Sequence, residues 1–441
     1  MMTLLAALVF VAAACSKAPS GTSAHVSSIP PHPPHRGSTH QPSPPTTMPE
    51  TPTTAPRVPT IAGGSVPVAV PSGPSVSPPA TITSDCSSDV SHALRDWINS
   101  LPPDQTIVMQ PGACYLVNEG IKLKDPQGLT VYGGSYRTTA VSQGQDPNSK
   151  GRAVFTVIGG SHVTLEEMQI RGANPGGYHP SLAFAGGIEF EGTANGTVRS
   201  VTISNTFGDG ITLSPLRGGA DHNSGTILAP SSAITIEDVT VSGVGRQGLT
   251  FASVAGAQVS DVIVDDPGIN TFDVEADQWD EGAIDVTIDG CLASGGAFFF
   301  ANGGAGDAAG THDITVENCS MLEPQGGSAI LVERRGRGHR GAPKKLRGPI
   351  TFLSDQLQCG ASVYTACVEL RGSDVTVTGS RLDFPASTIH EPVYGLAEGS
   401  RAVFTNDVVL GYGAAGRVSR DSSVRVTGGL WTPSGQTANR R

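Results

Sequence analysis

The sequence predicts an all-β fold: a single right-handed parallel β-helix with an N-terminal capping helix. Three observations predict it. First, a phrase recurs as Val163-Thr164-Leu165, Val201-Thr202-Ile203, Ile234-Thr235-Ile236, Val286-Thr287-Ile288, Ile314-Thr315-Val316, Ile350-Thr351-Phe352 and Val375-Thr376-Val377, with successive copies mostly 25 to 38 residues apart. Each copy is an in-out-in strand core, usually led by Asp or Ser, and the period fits coils too small to bury their own apolar faces unless stacked. Second, the chain has 56 Gly and only 5% aromatic residues, as a turn-rich β protein with small corner residues would. Third, Ile203 to Leu213 aligns with Val241 to Phe251 and with Val264 to Val274, each a strand, a polar corner and a strand. Strands of such units pair from coil to coil, in parallel. Units this short lack the four strands of a propeller blade.

Residues 1–14 read as a signal peptide, since the apolar run Leu4 to Ala14 is short for a membrane span and ends in small residues. Ala12-Ala13-Ala14-Cys15 resembles a bacterial lipobox, which implies cleavage before Cys15 and lipid on its sulfur. The expected location is extracytoplasmic, either lipid-anchored or secreted, with the membrane met only through that lipid. Residues 15–83 are Pro, Ser and Thr with few large apolar side chains, and read as a disordered tether. In polyproline geometry it would reach on the order of 100 Å. Its His25, His32, His35 and His40 have no acidic or Cys partners nearby in sequence and suggest no metal site.

Residues 84–441 form the predicted β-helix and its cap. Ser87 to Leu101 reads as the one helix, capped by Ser87 or Ser88, with Val90, Ala93, Leu94, Trp97, Ile98 and Leu101 on one face. Placed ahead of the coils, it would cover the open end of the stack. Thr106 to Met109 and Pro111 to Val117 read as two strands around a turn, and Gly128 to Tyr132 and Ala153 to Ile158 as the first coil strands.

The chain has seven Cys, an odd number; removing a lipidated Cys15 leaves six that pair. Cys291 and Cys319 each follow an apolar strand residue by three and take the same place on successive coils. Strands ~4.8 Å apart put them within disulfide reach, or stack them as reduced thiols. Cys359 and Cys367 would close a short loop, and Cys86 and Cys114 would staple the cap.

A net charge of −11 argues against affinity for nucleic acid or anionic membrane. Against that background three groups stand out. Asp273 and Glu275 are two apart on a strand, so they share a face, while Phe272 and Val274 point inward. Both carboxylates should then lie on the surface, with Arg246 one coil earlier and Asp209 one coil before that, in a patch of ~10–15 Å. Paired carboxylates at such separations serve as acid and base in glycoside hydrolysis. Arg246 would also suit neutralising a uronate in a lyase. The bland alternative is a surface ion pair between coils.

The second group is the acidic segment Asp273 to Glu281, with five carboxylates and Trp279. Trp279 is a candidate for stacking on a sugar ring. The oxygen ligands make Ca²⁺ the one candidate cofactor, although no EF-hand spacing is present. The third is the basic segment Arg334, Arg335, Arg337, Lys344, Lys345 and Arg347, which interrupts the repeat and suits an anionic polysaccharide; for both segments the alternative is a solvated loop with no specific ligand.

These residues together carry a resemblance. The cap followed by Pro111-Gly112-Ala113-Cys114-Tyr115, Arg171-Gly172-Ala173-Asn174-Pro175 ahead of Tyr178-His179-Pro180, Gly208-Asp209-Gly210-Ile211, Gly245-Arg246-Gln247-Gly248-Leu249 and Ala301-Asn302-Gly303-Gly304 resemble bacterial proteins of the pectin-lyase-like superfamily. The resemblance spans about Cys86 to the C-terminus. It implies the fold and an association with polysaccharides, but no one activity, since the superfamily holds lyases, hydrolases, epimerases, tailspikes and adhesins. The polygalacturonase motifs are missing: Asp265-Asp266 is present, but Gly338-His339-Arg340 is not its Gly-His-Gly. The expected protein is a monomeric surface β-helix that binds a polysaccharide and, as an enzyme, cleaves it by lyase or hydrolase chemistry. The alternative is a non-enzymatic envelope scaffold or adhesion protein.

Overall fold

The computed structural model describes residues 74–139, 153–218, 225–276, 281–303, 310–322, 324, 328–334, 349–360, 366–385 and 392–434. Cys15, the leader, most of the tether, Trp279, Arg335, Arg337, Lys344, Lys345 and Arg347 lie outside these residues. Arg334 ends the strand Ile330–Arg334, and its side chain lies outside them too.

The chain forms a single right-handed parallel β-helix. Its strands make a 23-stranded sheet, an 11-stranded second sheet and a small antiparallel hairpin, Leu216–Arg217 with Ile227–Ala229. Each coil has three arms, one more than the sequence suggests. Ser231–Ser242 holds two of them, with Asp238 between in the left-handed region at φ 52°. Leu249–Phe251, in the second sheet, is the third. The bend after the first arm is held by a stack of similar residues: Ser200, Asp238, Asp261, Asn318, Ser354 and Asn406, at φ 51° to 57°. Asp and Asn tolerate this conformation because their short polar side chains bond locally. The same reason explains the Asp that leads the phrase: Asp285 and Asp313 stand at φ 55° just before Val286 and Ile314.

Most phrase copies form one ladder, in which Thr164 pairs with Thr197, Thr197 with Thr235, Thr287 with Thr315, Thr315 with Thr351 and Thr351 with Thr376. Val201-Thr202-Ile203 does not belong to it. It lies on the second arm, with Thr202 opposite Thr240. Both arms carry the same alternation, so only pairing separates them. The alignment of Ile203, Val241 and Val264 holds, as does that of Leu213, Phe251 and the third-arm strand containing Val274.

The helix is shorter than expected, Ser91–Asn99. Residues Asp85–Asp89 are a strand paired with Cys114–Leu116, and the Cys86–Cys114 disulfide (Cα–Cα 5.0 Å) fixes it there. The N-cap is Val90, not Ser87 or Ser88, and it makes no side-chain cap bond; Asp89 Oδ1, just before it, accepts the Ser91 N–H at 2.9 Å. The helix's role at the end of the stack is as expected. Asn99 Nδ2 donates to Lys122 O (2.8 Å) and Asn99 Oδ1 accepts from Lys124 N (3.0 Å), so the helix satisfies the edge of Ile121–Lys124, the first strand of the second sheet. Pairing also reaches back into the segment read as tether, where Ser75–Val76 pairs with Thr106–Ile107.

The interior is a column of apolar side chains, among them Phe155, Phe190, Phe251, Phe272, Phe298 and Phe299, all buried. Cys291–Cys319 and Cys359–Cys367 are paired as expected, with Cα–Cα 4.4 Å and 5.3 Å. Above Cys319 the same corner position carries Asp355, Ser380 and Asp407, all buried. Cys319 N donates to Asp355 Oδ1 (2.9 Å) and Ser380 N to Asp407 Oδ1 (2.8 Å), while both Oδ2 atoms are buried with no partner. Burial pushes the Asp407 carboxyl up to about 7, against the pull of bonds from Ser380 and Thr405. The folded protein then holds a proton that an unfolded Asp, at ~3.9, releases. Stability from this group therefore falls as pH rises from about 4 towards about 7. Asp407→Asn keeps the Oδ1 acceptor and removes the titration. It should shrink the loss of melting temperature between pH 5 and pH 8, read by circular dichroism; an undiminished loss would contradict this.

Candidate functional site

The third arms carry alternating residues, and the outward set on the second sheet forms two rows. One runs Thr156, Glu189, Thr212, Thr250 and Asp273. In the other, Glu191 lies beside Ser214, and Glu275 beside Asn302. The inward set between them, Ile188, Phe190, Ile211, Leu213, Leu249, Phe251, Phe272 and Val274, is core. A strand that alternates in this way must present its polar residues outward, so the row follows directly from the sequence.

All four predicted catalytic side chains meet here. Arg246 comes from the corner before Leu249–Phe251 and reaches along the outer face of the sheet. Its Nη1 donates to Asp209 Oδ2 at 3.2 Å and its Nη2 contacts Glu275 Oε2. It thus bridges a carboxylate from the coil before it and one from the coil after it. Asp209 also accepts from Thr250 Oγ1 (2.8 Å), Thr212 Oγ1 (3.3 Å) and Gln247 N (3.2 Å). Gln247 Nε2 donates to Asp273 Oδ2. One guanidinium thus holds Asp209 and Glu275 together, with Asp273 on the same strand as Glu275.

One expectation is corrected. The carboxylates face outward but are not surface groups. Asp273 is 1% and Asp209 4% exposed, and the Arg246 and Glu275 side chains are 14% and 13% exposed. The charges are covered by one another and by Thr250 and Gln247. Burial is the main force on the titration here. It lifts the Asp273 carboxyl well above the usual range, and the Glu275 charge adds to it, against Gln247 and Arg246. Burial also raises Asp209, opposed chiefly by Arg246. Several polar atoms around this group are buried without a protein partner: Asp273 Oδ1, Gln247 Oε1, Thr271 Oγ1 and both Asn302 side-chain atoms. Buried polar groups are normally bonded, so these atoms are open to a polar ligand.

Two further carboxylates belong to the same face. Glu189 and Glu191 lie on the coil before that of Asp209, both raised by burial, with Glu189 raised further by the neighbouring Glu191 charge. Sequence reasoning passed over them, although Ile188-Glu189-Phe190-Glu191 repeats the alternation of Phe272-Asp273-Val274-Glu275. Gln247 and Thr250 carried no such signal.

The outer face has two borders. At the ends of the strands the hairpin Leu216–Ala229 is tied to the acidic segment by a buried ion pair, Arg217 Nη2 to Glu281 Oε1 at 2.7 Å. Arg217 Nη1 also donates to Gly225 O at 2.6 Å. At the starts of the strands the segment 172–187 lies along the corner 205–209. Among the described residues no group of three or more His, Cys, Asp or Glu is arranged to hold a metal ion. The cation among these carboxylates is Arg246, and Asp277 and Asp280 of the acidic segment lie outside the described residues.

The sequence matches no known family model and no curated protein. Solved structures do match. The tailspike protein of E. coli bacteriophage HK620, solved with a pentasaccharide, aligns at 13% identity over 79% of this chain and 66% of its own, with a TM-score of 0.55. The catalytic unit of a thermostable GH87 α-1,3-glucanase from Streptomyces thermodiastaticus aligns at 16% identity over 82% and 69%, with a TM-score of 0.50. The N-terminal fragment of bacteriophage phi29 gene product 12 aligns at 15% over 79% and 65%, with a TM-score of 0.53. This chain therefore spans about two thirds of the length of those proteins, and what it shares with them is the fold.

Proposed function

We propose that this chain is a glycoside hydrolase that cleaves a neutral polysaccharide on the outer face of its second sheet. The observation that carries the reading is the Asp209–Arg246–Glu275 bridge beside Asp273. Asp273, kept protonated by burial, is the general acid that protonates the glycosidic oxygen. Glu275 is the carboxylate across the bond, acting on water or on the sugar carbon, and Arg246 and Asp209 hold it in place. A buried acid on one strand with a carboxylate paired to Arg246 is an arrangement that suits this chemistry. A lyase fits less well. Elimination from a uronate requires a cation free to neutralise the sugar carboxylate, and Arg246 already serves two acids. The likeness in fold to a tailspike solved with a pentasaccharide and to an α-1,3-glucanase agrees with a carbohydrate partner. Three disulfides agree with an oxidising, extracytoplasmic setting, reached through a signal peptide and an anchor on Cys15.

The burial of Asp273 at 1% exposure favours a second reading, a protein that binds sugar without cleaving it. One experiment separates the two. The protein is incubated with dextran, pullulan, soluble α-1,3-glucan oligosaccharides and polygalacturonate, and reducing ends and unsaturated-uronate absorbance are followed. New reducing ends from a neutral glucan, without unsaturated product, support hydrolysis. Binding alone supports the second reading, and unsaturated product from polygalacturonate would overturn the preference for a hydrolase.

A further inference from the structure

Only 5% of the chain is aromatic, and most aromatic side chains among the described residues are buried. Among the described residues two large aromatic side chains are exposed, Tyr178 at 45% and Phe184 at 60%. Both belong to segment 172–187, which joins the strand Gln169–Arg171 to Ile188–Glu191. This segment is fixed to the coils. Asn174 N donates to Asn205 O (2.8 Å), Asn174 Nδ2 to Thr206 O (3.1 Å), and Gly208 N to Ala185 O (2.9 Å). The His179 ring meets Phe207 edge-on at 5.4 Å.

Those anchors place both aromatics beside the carboxylate group. A Cβ on Gly245 would lie 3.0 Å from Gly177 O, and one on Gly208 would lie 2.5 Å from Ala183 O. Gly177 and Ala183 each precede one of the aromatics, and Gly245 and Gly208 precede Arg246 and Asp209. Chain geometry then puts the Cα of Tyr178 within about 11 Å of that of Arg246, and the Cα of Phe184 within about 11 Å of that of Asp209. A single exposed apolar residue needs no explanation. Two aromatics held out by a braced segment at the border of a buried polar group do.

We propose that Tyr178 and Phe184 form a stacking platform that seats pyranose rings of a neutral polysaccharide beside the Asp209–Arg246–Glu275 group. This rests on the functional reading above and names how that site holds its polymer. A pyranose offers a face of C–H bonds that packs on an aromatic ring, and its hydroxyls remain free for the polar atoms of the floor. Two platforms imply that several sugar units are held at once, so a polymer should bind better than a disaccharide. A braced segment also holds the rings ready, which limits the entropy lost on binding.

The test is affinity electrophoresis of the full chain in native gels cast with each of the same four carbohydrates. Tyr178→Ala and Phe184→Ala should each weaken retention about tenfold in the neutral glucan that retains the wild type. Tyr178→Phe should restore it, and melting temperatures should stay unchanged because neither ring is in the core. Wild-type retention in a neutral glucan gel that both alanine variants share undiminished would overturn the platform while leaving the site intact. Absence of wild-type retention in all three neutral glucans would overturn the reading of the site, and this inference with it.

Discussion

Asp273→Asn should abolish most cleavage while leaving binding in place. Positioned acid catalysis contributes ~10²–10⁴-fold, and kcat on the neutral glucan should fall by that factor. The substitution is nearly isosteric. An Asn oxygen still accepts from Gln247, so the coil keeps its packing and only the transferable proton is lost. The pH profile carries the same information. Burial holds Asp273 protonated well above the ordinary carboxyl range, so the wild type should remain active at neutral pH and decline as this proton is lost at higher pH. The measurement is a reducing-end rate for both proteins over pH 5 to 9. A variant with unchanged kcat would remove Asp273 from the reaction.

Phe272→Ala should be among the most damaging single changes to stability. Phe272 is fully buried and packs edge-on against Phe298 with ring centroids 5.7 Å apart. Removing a buried ring of this kind costs about 3–5 kcal/mol, from lost burial and the cavity left behind. In a stack of coils each depends on its neighbours, so the loss is felt through the coils on both sides. The effect should appear as a lowered urea midpoint. Cleavage should fall as well, because Phe272 sets the strand that presents Asp273. A stability loss below about 1 kcal/mol would show that the site can collapse around the gap, contrary to the close packing described here. Phe184→Ala, by contrast, removes a ring of the same size from the surface and should leave the midpoint unchanged.

The two substitutions also show how much was legible in the sequence. The alternation Phe272-Asp273-Val274-Glu275 assigned inside and outside correctly, since period two leaves no other choice. The register from Ile203 to Val241 to Val264 brought Asp209, Arg246 and Asp273 to successive coils and stacked Cys291 on Cys319. What failed depended on contacts between distant segments. The carboxylates were expected on the surface, yet Arg246, Gln247 and Thr250 cover them. Val201-Thr202-Ile203 was placed with the other phrase copies although it lies on the next arm, because both arms alternate alike. The helix began four residues late because strand pairing and the Cys86–Cys114 bond claimed Asp85–Asp89. Glu189 and Glu191 were legible by the same alternation as Asp273. The platform residues Tyr178 and Phe184 were not, since nothing local distinguishes an exposed aromatic from a buried one.

The central claim is that the outer face of the second sheet hydrolyses a neutral polysaccharide through Asp273 and Glu275. Proton magnetic resonance of the products tests it most directly, with wild type, Asp273→Asn and Glu275→Gln each incubated with the glucan that the wild type retains. The account predicts new anomeric signals of saturated reducing ends for the wild type and none for either variant over the same period. Unsaturated sugar signals, or saturated products formed equally by all three proteins, would contradict it.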